Sequence, residues 1–492
     1  MSTVAEGAVR GAAWNVATTV LTRIGGLAGT LLITRFIAPQ ELGEVAAALV
    51  LVQTAMMVAQ LRYGNYLIAK KGTPEEAFNA NVVHMVLGVV AGVVVYVLRE
   101  PLGRFFGSPN SARFVPGFIL SCFIERFAYI PERILTRDLQ FRPLSIARSA
   151  GEISYTILSL ALAPLMGGMA IIVGNLARSV VLAGMTIRPA KWAEYGPRAP
   201  IKWKTIREMT SYCLPGAVAG LAELAAARWD NLLVSRYFGP RQHGMYNLAY
   251  NLADTPTGAV GEQIGDVLFP SFAKIEPERR EEALRRAMAL MALVIFPLGV
   301  GLGAVAPTVV QSFFDERWQE VAPMLAILSV LSIAKTMASP LVALMQAQHR
   351  QRPLMMISLL KVVILVVTVV IFAPLGPLWT CVGVGATFVL DTFLCILVCR
   401  ILDGIKMLPL LGGLLPVAIT SFIMAAGVYF GRMGLRTIGL GPGFLSLILE
   451  VIIGGLVYVL AAFVVARPLA MDLVNQLKNL IRRKRGKTDD AS

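Results

Sequence analysis

LVSRYFGPRQHGMYNLAYNL (233–252) repeats the pattern of LITRFIAPQELGEVAAALVL (32–51). Aligned without gaps, the two stretches share Leu32 with Leu233, Arg35 with Arg236, Pro39 with Pro240, Gly43 with Gly244, Ala48 with Ala249 and Leu51 with Leu252. The same offset carries Gln53 onto Asp254, Gly64 onto Gly265 and Leu67 onto Leu268. Each copy reads as the exit of one helix, a short turn in which proline and glycine (Pro240 and Gly244 in the second copy) set the backbone, and the entry of the next helix. Arg236 and His243 are then expected at the rim or in the turn.

The surroundings say what kind of helices these are. The chain is 56% hydrophobic and 15% charged, with a mean hydropathy of +0.68, against about 25% charged residues in soluble domains. It reads as an all-α integral membrane protein. A helix needs about 20 apolar residues to cross the hydrocarbon and satisfies its own backbone there. About 14 such runs are expected, with cores near 12–34, 43–62, 79–98, 114–130, 146–166, 168–187, 209–234, 244–269, 288–311, 322–345, 354–373, 379–399, 410–430 and 444–466. The span 114–130 is short and holds Glu125 and Arg126, and 244–269 is polar for a span. No short apolar run with a small-residue cleavage site precedes the first span, which is expected to stay as an anchor.

The formal charge of +15 is placed by topology. Arg133, Arg137 and Arg142 follow the fourth span, Arg188 to Arg207 the sixth, and Lys274 to Arg286 the eighth; Lys478 to Lys487 close the chain. Roughly 30 of the 45 Lys and Arg residues fall on that one side, the bias of cytoplasmic loops. Both termini are expected to be cytoplasmic, and no nucleic-acid partner is expected. The basic tail (467–492) suits anionic membrane lipids or a solvated stop-transfer segment. Cys122, Cys213, Cys381, Cys395 and Cys399 all fall in expected spans and show no zinc pattern; no metal and no cofactor is expected.

The linker 189–208 separates six spans from the rest, and the repeat straddles it. The expected organisation is a six-helix bundle (1–188), this cytoplasmic linker, a second parallel six-helix bundle (209–400), two appended helices (401–466) and the tail. Parallel repeats of this kind build transporters that rock around a path between the halves. Polar stripes indicate which helices face that path: Asn15, Thr18, Thr19, Thr22 and Arg23 in the first; Gln53, Gln60 and Arg62 in the second; Glu223, Arg228 and Asp230 in the seventh; Asn247, Asn251, Asp254 and Glu262 in the eighth. A charge at mid-membrane costs about 2.5–3.5 kcal/mol on insertion scales, so Glu125, Arg126, Glu152, Arg178, Lys335 and Asp391 also need compensation. Internal pairing is the competing reading, with Arg148 and Glu152 spaced i, i+4 and Arg228 facing a carboxylate of a neighbouring helix. Luminal arginines suit an anionic substrate; Asp254, Glu262, Glu223 and Asp230 are the candidates for carrying a coupling proton or sodium ion.

At these residues the chain resembles the Wzx-type polysaccharide and oligosaccharide flippases of the MOP exporter superfamily. The resemblance lies in TRFIAPQELGEVAAAL (34–49) and, more fully, in the stretch 229–273, at Asp230, Arg236, Gly239, Pro240, Gly244, Tyr246 and Leu268 to Pro270. The first copy departs from it, with Ala38 where glycine precedes proline and Glu44–Val45 opposite Met245–Tyr246.

The resemblance implies a V-shaped pair of six-helix bundles plus two helices in a bacterial inner membrane. Its cargo would be an undecaprenyl-pyrophosphate-linked oligosaccharide, moved from the cytoplasmic to the periplasmic leaflet for O-antigen, capsule or exopolysaccharide synthesis. Polymerase and chain-length proteins are partners of that pathway. Arg23, Arg62 and Arg228 are the candidates by position for the pyrophosphate, with Asn15, Thr19 and Asn251 beside them. A peptidoglycan-precursor flippase would share the chemistry but its loss would cause lysis. A MATE-like exporter would want a cavity dominated by carboxylates, and an enzyme would want a large outer loop, whereas 99–113 is short and offers neither a histidine nor a carboxylate pair.

Overall fold

Proline opens several of the helices, because its missing N–H falls where the first turn has no partner for one. In the computed structural model, which describes Gly26, Gly29 and residues 31–70, 72–138, 140–190 and 199–472, α1 spans Pro39–Val58 and the short α2 Tyr63–Ala69. The helix α3, Pro74–Phe105, starts with a reciprocal capping box between Thr73 and Glu76. Then come α4 (Val115–Arg137), α5 (Phe141–Met166), α6 (Met169–Ile187) and α7 (Trp203–Lys274), followed by α8 (Arg280–Phe313), α9 (Val321–Met337), α10 (Ser339–Ala347), α11 (Gln351–Phe372), α12 (Pro377–Asp403), α13 (Met407–Gly412), α14 (Leu415–Thr437) and α15 (Phe444–Val465). Every regular element among the described residues is helical. Ten of the described helices are long and apolar enough to cross a membrane.

The expected spans after the first fall on these helices, 322–345 running across α9 and α10 and 410–430 across α13 and α14, and the first, 12–34, lies mostly outside the described residues. The second span is shorter than expected: α1 stops at Val58, and Arg62 caps α2 with a left-handed φ of 54°. The expected linker is helical from Trp203. Just before it, Lys202 donates through its backbone N–H to Asn79 and through its ammonium to Glu75, fastening the chain to the start of α3.

The Gly-Pro turn is tighter than the sequence suggests. Helix α7 is two helical arms, 203–238 and 240–274, joined at Gly239 alone, whose φ of 78° and ψ of 177° break the helix. Pro240 starts the second arm at once. Gly244 is therefore no turn residue. A Cβ there would collide with the Pro39 carbonyl oxygen, and a Cβ on Gly43 would collide with that of Pro240. The two duplicated Pro-x-x-x-Gly elements cross each other reciprocally, and glycine is what lets their backbones touch. His243, expected at the rim or in the turn, is wholly buried at this crossing.

Contacts divide the chain into two compact units, 1–248 with 358–380, and 249–357 with 381–492. The first arm of α7 goes with the amino-terminal helices because Leu232 packs with Ala47, Val50 and Leu51 of α1, and because the Arg62 guanidinium lies on Gly220. In the first unit α5 and α6 form a tight pair, and Val52, Phe114, Phe118 and Ile172 fill a core between helices. In the second unit α8 is central, with α9, α14 and α15 packed on it. Arg432 there donates twice to the wholly buried Glu450, which also accepts from Thr308.

Candidate functional site

The fourth expected span is short and carries charge, and the structure shows what its polar residues do. Phe118, Ser121, Cys122, Glu125, Ala128, Tyr129 and Glu132 recur at three- and four-residue steps, so one stripe of α4 faces a cavity of about 410 Å³ in the first unit. Gln53 and Gln60 enter it from α1 and its exit, His84 from α3, Asn175 and Arg178 from α6, and Arg228 from the first arm of α7. The volume lies within the roughly 300–1,000 Å³ of ligand sites.

Its arginines are held in different ways. Arg126, 5% exposed, donates to the His84 carbonyl at 2.7 Å, to His84 Nδ1 at 3.3 Å and to the Met56 carbonyl at 2.9 Å. Met56 is in the last turn of α1, where carbonyls lack helical partners. Gly88 makes this reach possible, since a Cβ there would run into the guanidinium. None of these partners is a carboxylate, so no hydrogen-bonded acid offsets the charge of Arg126 at the cavity wall. Arg228 forms no salt bridge among the described residues, and its charge acts on the buried Asp230 two residues on.

Arg178 is shared between two carboxylates, Glu125 Oε1 at 3.1 Å and Glu152 Oε1 at 3.3 Å. Ser179 Oγ lies 3.0 Å from the same Glu125 oxygen. Here the sequence expectation fails: Arg148 pairs with Glu132 at 3.5 Å, not with Glu152. The i, i+4 spacing makes contact possible within a helix, but bundle packing gives both groups better partners on other helices. The expected partnering of Arg228 with a carboxylate of a neighbouring helix is likewise absent among the described residues.

Of the residues singled out from the sequence, the structure brings Gln53, Gln60 and Arg228 together in this cavity. Arg62 stands apart from its lining, against Gly220. Asn15, Thr19 and Arg23 lie outside the described residues, as does the side chain of Glu262. Glu223 is exposed on α7. Asp230 is 1% exposed and accepts from Tyr246 and Asn231, while Asn247 donates to Asn231. Asp254, in the second unit with the half-buried Asn251, accepts from Lys335 at 2.7 Å; Lys335 also donates to Tyr250 and lies over its ring. Arg126, Arg178 and Glu125 were legible only as charges needing compensation. The signal that could have promoted them is the spacing of Glu125 and Glu132, two turns apart on one face.

The family model described as Polysaccharide biosynthesis protein matches residues 32–323. Over 362 residues the chain is 24% identical to the Lipopolysaccharide biosynthesis protein WzxC of Escherichia coli (strain K12), covering 70% of this chain and 71% of that one. It is 23% identical over 305 residues to the Succinoglycan biosynthesis transport protein ExoT of Rhizobium meliloti (strain 1021), covering 61% of each. It is 25% identical over 304 residues to the Teichuronic acid biosynthesis protein TuaB of Bacillus subtilis (strain 168), covering 60% of this chain and 62% of that one. In fold it is similar to the Lipid II flippase MurJ in an inward closed conformation, with a TM-score of 0.76 at 14% identity over 93% of this chain and 99% of that one. A multidrug resistance MATE family transporter of the MOP superfamily, inward-facing, gives 0.60 at 15% identity over 78% and 94%.

Proposed function

We propose, from the premise that the chain belongs to the polysaccharide biosynthesis protein family, that it is a flippase for lipid-linked oligosaccharide. The cargo is an undecaprenyl-pyrophosphate-linked repeat unit, carried from the cytoplasmic to the periplasmic leaflet of a bacterial inner membrane and left there for polymerase and chain-length proteins. One observation carries the reading. The cavity of the first unit holds two guanidiniums, Arg126 and Arg228, that form no salt bridge among the described residues, although the charge of Arg228 acts on the buried Asp230 two residues on. Uncompensated charge at membrane depth is costly, and a pyrophosphate would compensate it through charge-assisted hydrogen bonds. Gln53, Gln60 and Asn175 supply neutral donors and acceptors suited to sugar hydroxyls.

In this reading the two six-helix repeats alternate access, with the helices of 401–466 appended to the second. Arg23, Arg62, Asn15, Thr19 and Asn251 are further candidates for cargo contacts. Asp254 and Glu262 lead the candidates for proton or sodium coupling over Glu223 and Asp230, the last being filled by Tyr246 and Asn231. The test is transport of a fluorescent undecaprenyl-pyrophosphate oligosaccharide in proteoliposomes carrying Arg228→Ala. Loss of flipping at normal protein level is expected, and wild-type rates would overturn the reading. Deletion in cells separates a peptidoglycan precursor from other glycans: lysis would indicate the former, loss of surface polysaccharide with intact growth the latter.

A further inference from the structure

The polar cavity has an apolar counterpart on the other side of the same helix. Gln53, Met56, Met57 and Gln60 of α1 and its exit face the cavity, while Leu51, Thr54, Ala55 and Val58 face outward into an apolar furrow. The furrow consists of two hollows, about 310 Å³ and 440 Å³, that share Ala55 and Val94 as walls and so run on from one another.

Its far wall is one stripe of α3. The stripe runs from Leu87 through Val94 to Leu102 at three- and four-residue steps, ending on Phe106 at the cap. Nineteen steps at 1.5 Å each make it about 29 Å long, the thickness of the hydrocarbon core, about 30 Å. Cavity and furrow also meet at α7. Arg228 lines the cavity and the next residue, Trp229, lines the furrow. Trp229 Nε1 donates to Thr54 Oγ1 at 3.2 Å and closes the seam between α1 and α7.

We propose that this furrow is the track for the polyprenyl chain of the cargo. A bound lipid needs an apolar slot only as deep as its own leaflet. A lipid that changes leaflets while its head group crosses needs one as long as the whole hydrocarbon core, within reach of the head-group site, and α1 and α3 enclose such a slot. For head group and chain to be joined across the seam, the Thr54–Trp229 bond has to open. The assignment of the occupant rests on the flippase reading; the furrow itself does not.

Val94 lies at the join of the two hollows and is half exposed, whereas Val97 on the same helix is more exposed, at 67%, and lines neither. The experiment introduces a photo-crosslinking amino acid at Val94 or at Val97 in the full chain, in vesicles containing phospholipid and an undecaprenyl-pyrophosphate oligosaccharide. Polyprenyl adducts at least tenfold richer at Val94 than at Val97 are expected. Equal labelling at both positions, or phospholipid adducts only, would make the furrow an ordinary lipid-facing surface and overturn the proposal.

A second arm uses Val94→Trp, which fills the join, and Val97→Trp as its control. Val94→Trp is expected to slow flipping at least tenfold with unchanged binding of a short-chain pyrophosphate sugar, and Val97→Trp to leave both unchanged. Flipping at wild-type rate with Val94→Trp overturns the track. Failure of the short-chain sugar to bind the wild-type protein, with selective polyprenyl labelling at Val94, would instead sink the arginine head-group site and leave the track standing.

Discussion

The charged residues of the two units are balanced differently. In the second unit the ion pairs match one to one: Arg432 with Glu450, Arg350 with Asp403 and Arg286 with Asp472. In the first unit two carboxylates share Arg178, while Arg126 and Arg228 form no salt bridge among the described residues. A charge network that serves stability closes on itself; one that serves a charged visitor is left open where the visitor goes. The two units thus differ in how their charges are balanced.

The largest test removes the most buried closed pair. Glu450→Ala leaves Arg432, whose side chain is 15% exposed, without its counter-ion between α8, α14 and α15. Breaking a buried pair from one side costs about 3–5 kcal/mol. The thermal unfolding midpoint of the purified protein should fall accordingly. A change below about 1 kcal/mol would show that Arg432 finds another partner and that this pair does not hold the last helices in place.

Arg228→Ala should do the reverse, leaving stability nearly intact and weakening cargo binding. A charge-assisted hydrogen bond contributes about 1.5–3 kcal/mol, which corresponds to about 10- to 150-fold in affinity. Binding of the oligosaccharide pyrophosphate, compared with thermal stability of the same samples, checks this. A stability loss with unchanged affinity would place Arg228 among the structural pairs and erase the contrast between units.

How far these roles were legible follows from their spacing. The helices were readable because a run of apolar residues is a local signal, and the duplication because Pro39–Gly43 and Pro240–Gly244 stand at a constant offset. The reciprocal crossing of those glycines was not readable, since a glycine that makes a turn and one that admits a backbone look alike in sequence. Arg228 was singled out from its own helix. Arg126 was singled out only as a charge needing compensation, because its placement depends on Gly88 and on the Met56 carbonyl, far away along the chain. Glu152 was given the wrong partner for the same reason: i, i+4 neighbours are visible in sequence and Arg178 on α6 is not.

A milder test follows at the shared arginine. Glu152→Gln leaves Glu125 and Arg178 one to one, so it should cost no more than about 1 kcal/mol of stability, far less than Glu450→Ala. A loss as large as that of Glu450→Ala, measured by the same unfolding experiment, would mean that both carboxylates are needed to hold Arg178.

The smallest effect belongs to a pair outside the membrane-spanning segments. In the turn between α8 and α9, Arg317 donates through Nε to Asp315 Oδ2 at 3.0 Å and through its backbone N–H to Asp315 Oδ1 at 3.2 Å. These bonds hold the Asp315 carboxyl below its ordinary range. A depressed carboxyl adds stability above its unfolded pKa, about 3.9, and that increment is lost as pH falls through the lower folded value. Both side chains are more than 40% exposed, so solvent and salt reduce the increment to about 0.5 kcal/mol or less. Asp315→Asn should therefore approach the wild type as pH falls below the folded pKa of Asp315 and fall below it by no more than that amount near pH 7. A gap of 2 kcal/mol or more at neutral pH, about what a desolvated charge pair can reach, would show that this turn is shielded from water and that closed pairing extends beyond the buried helices.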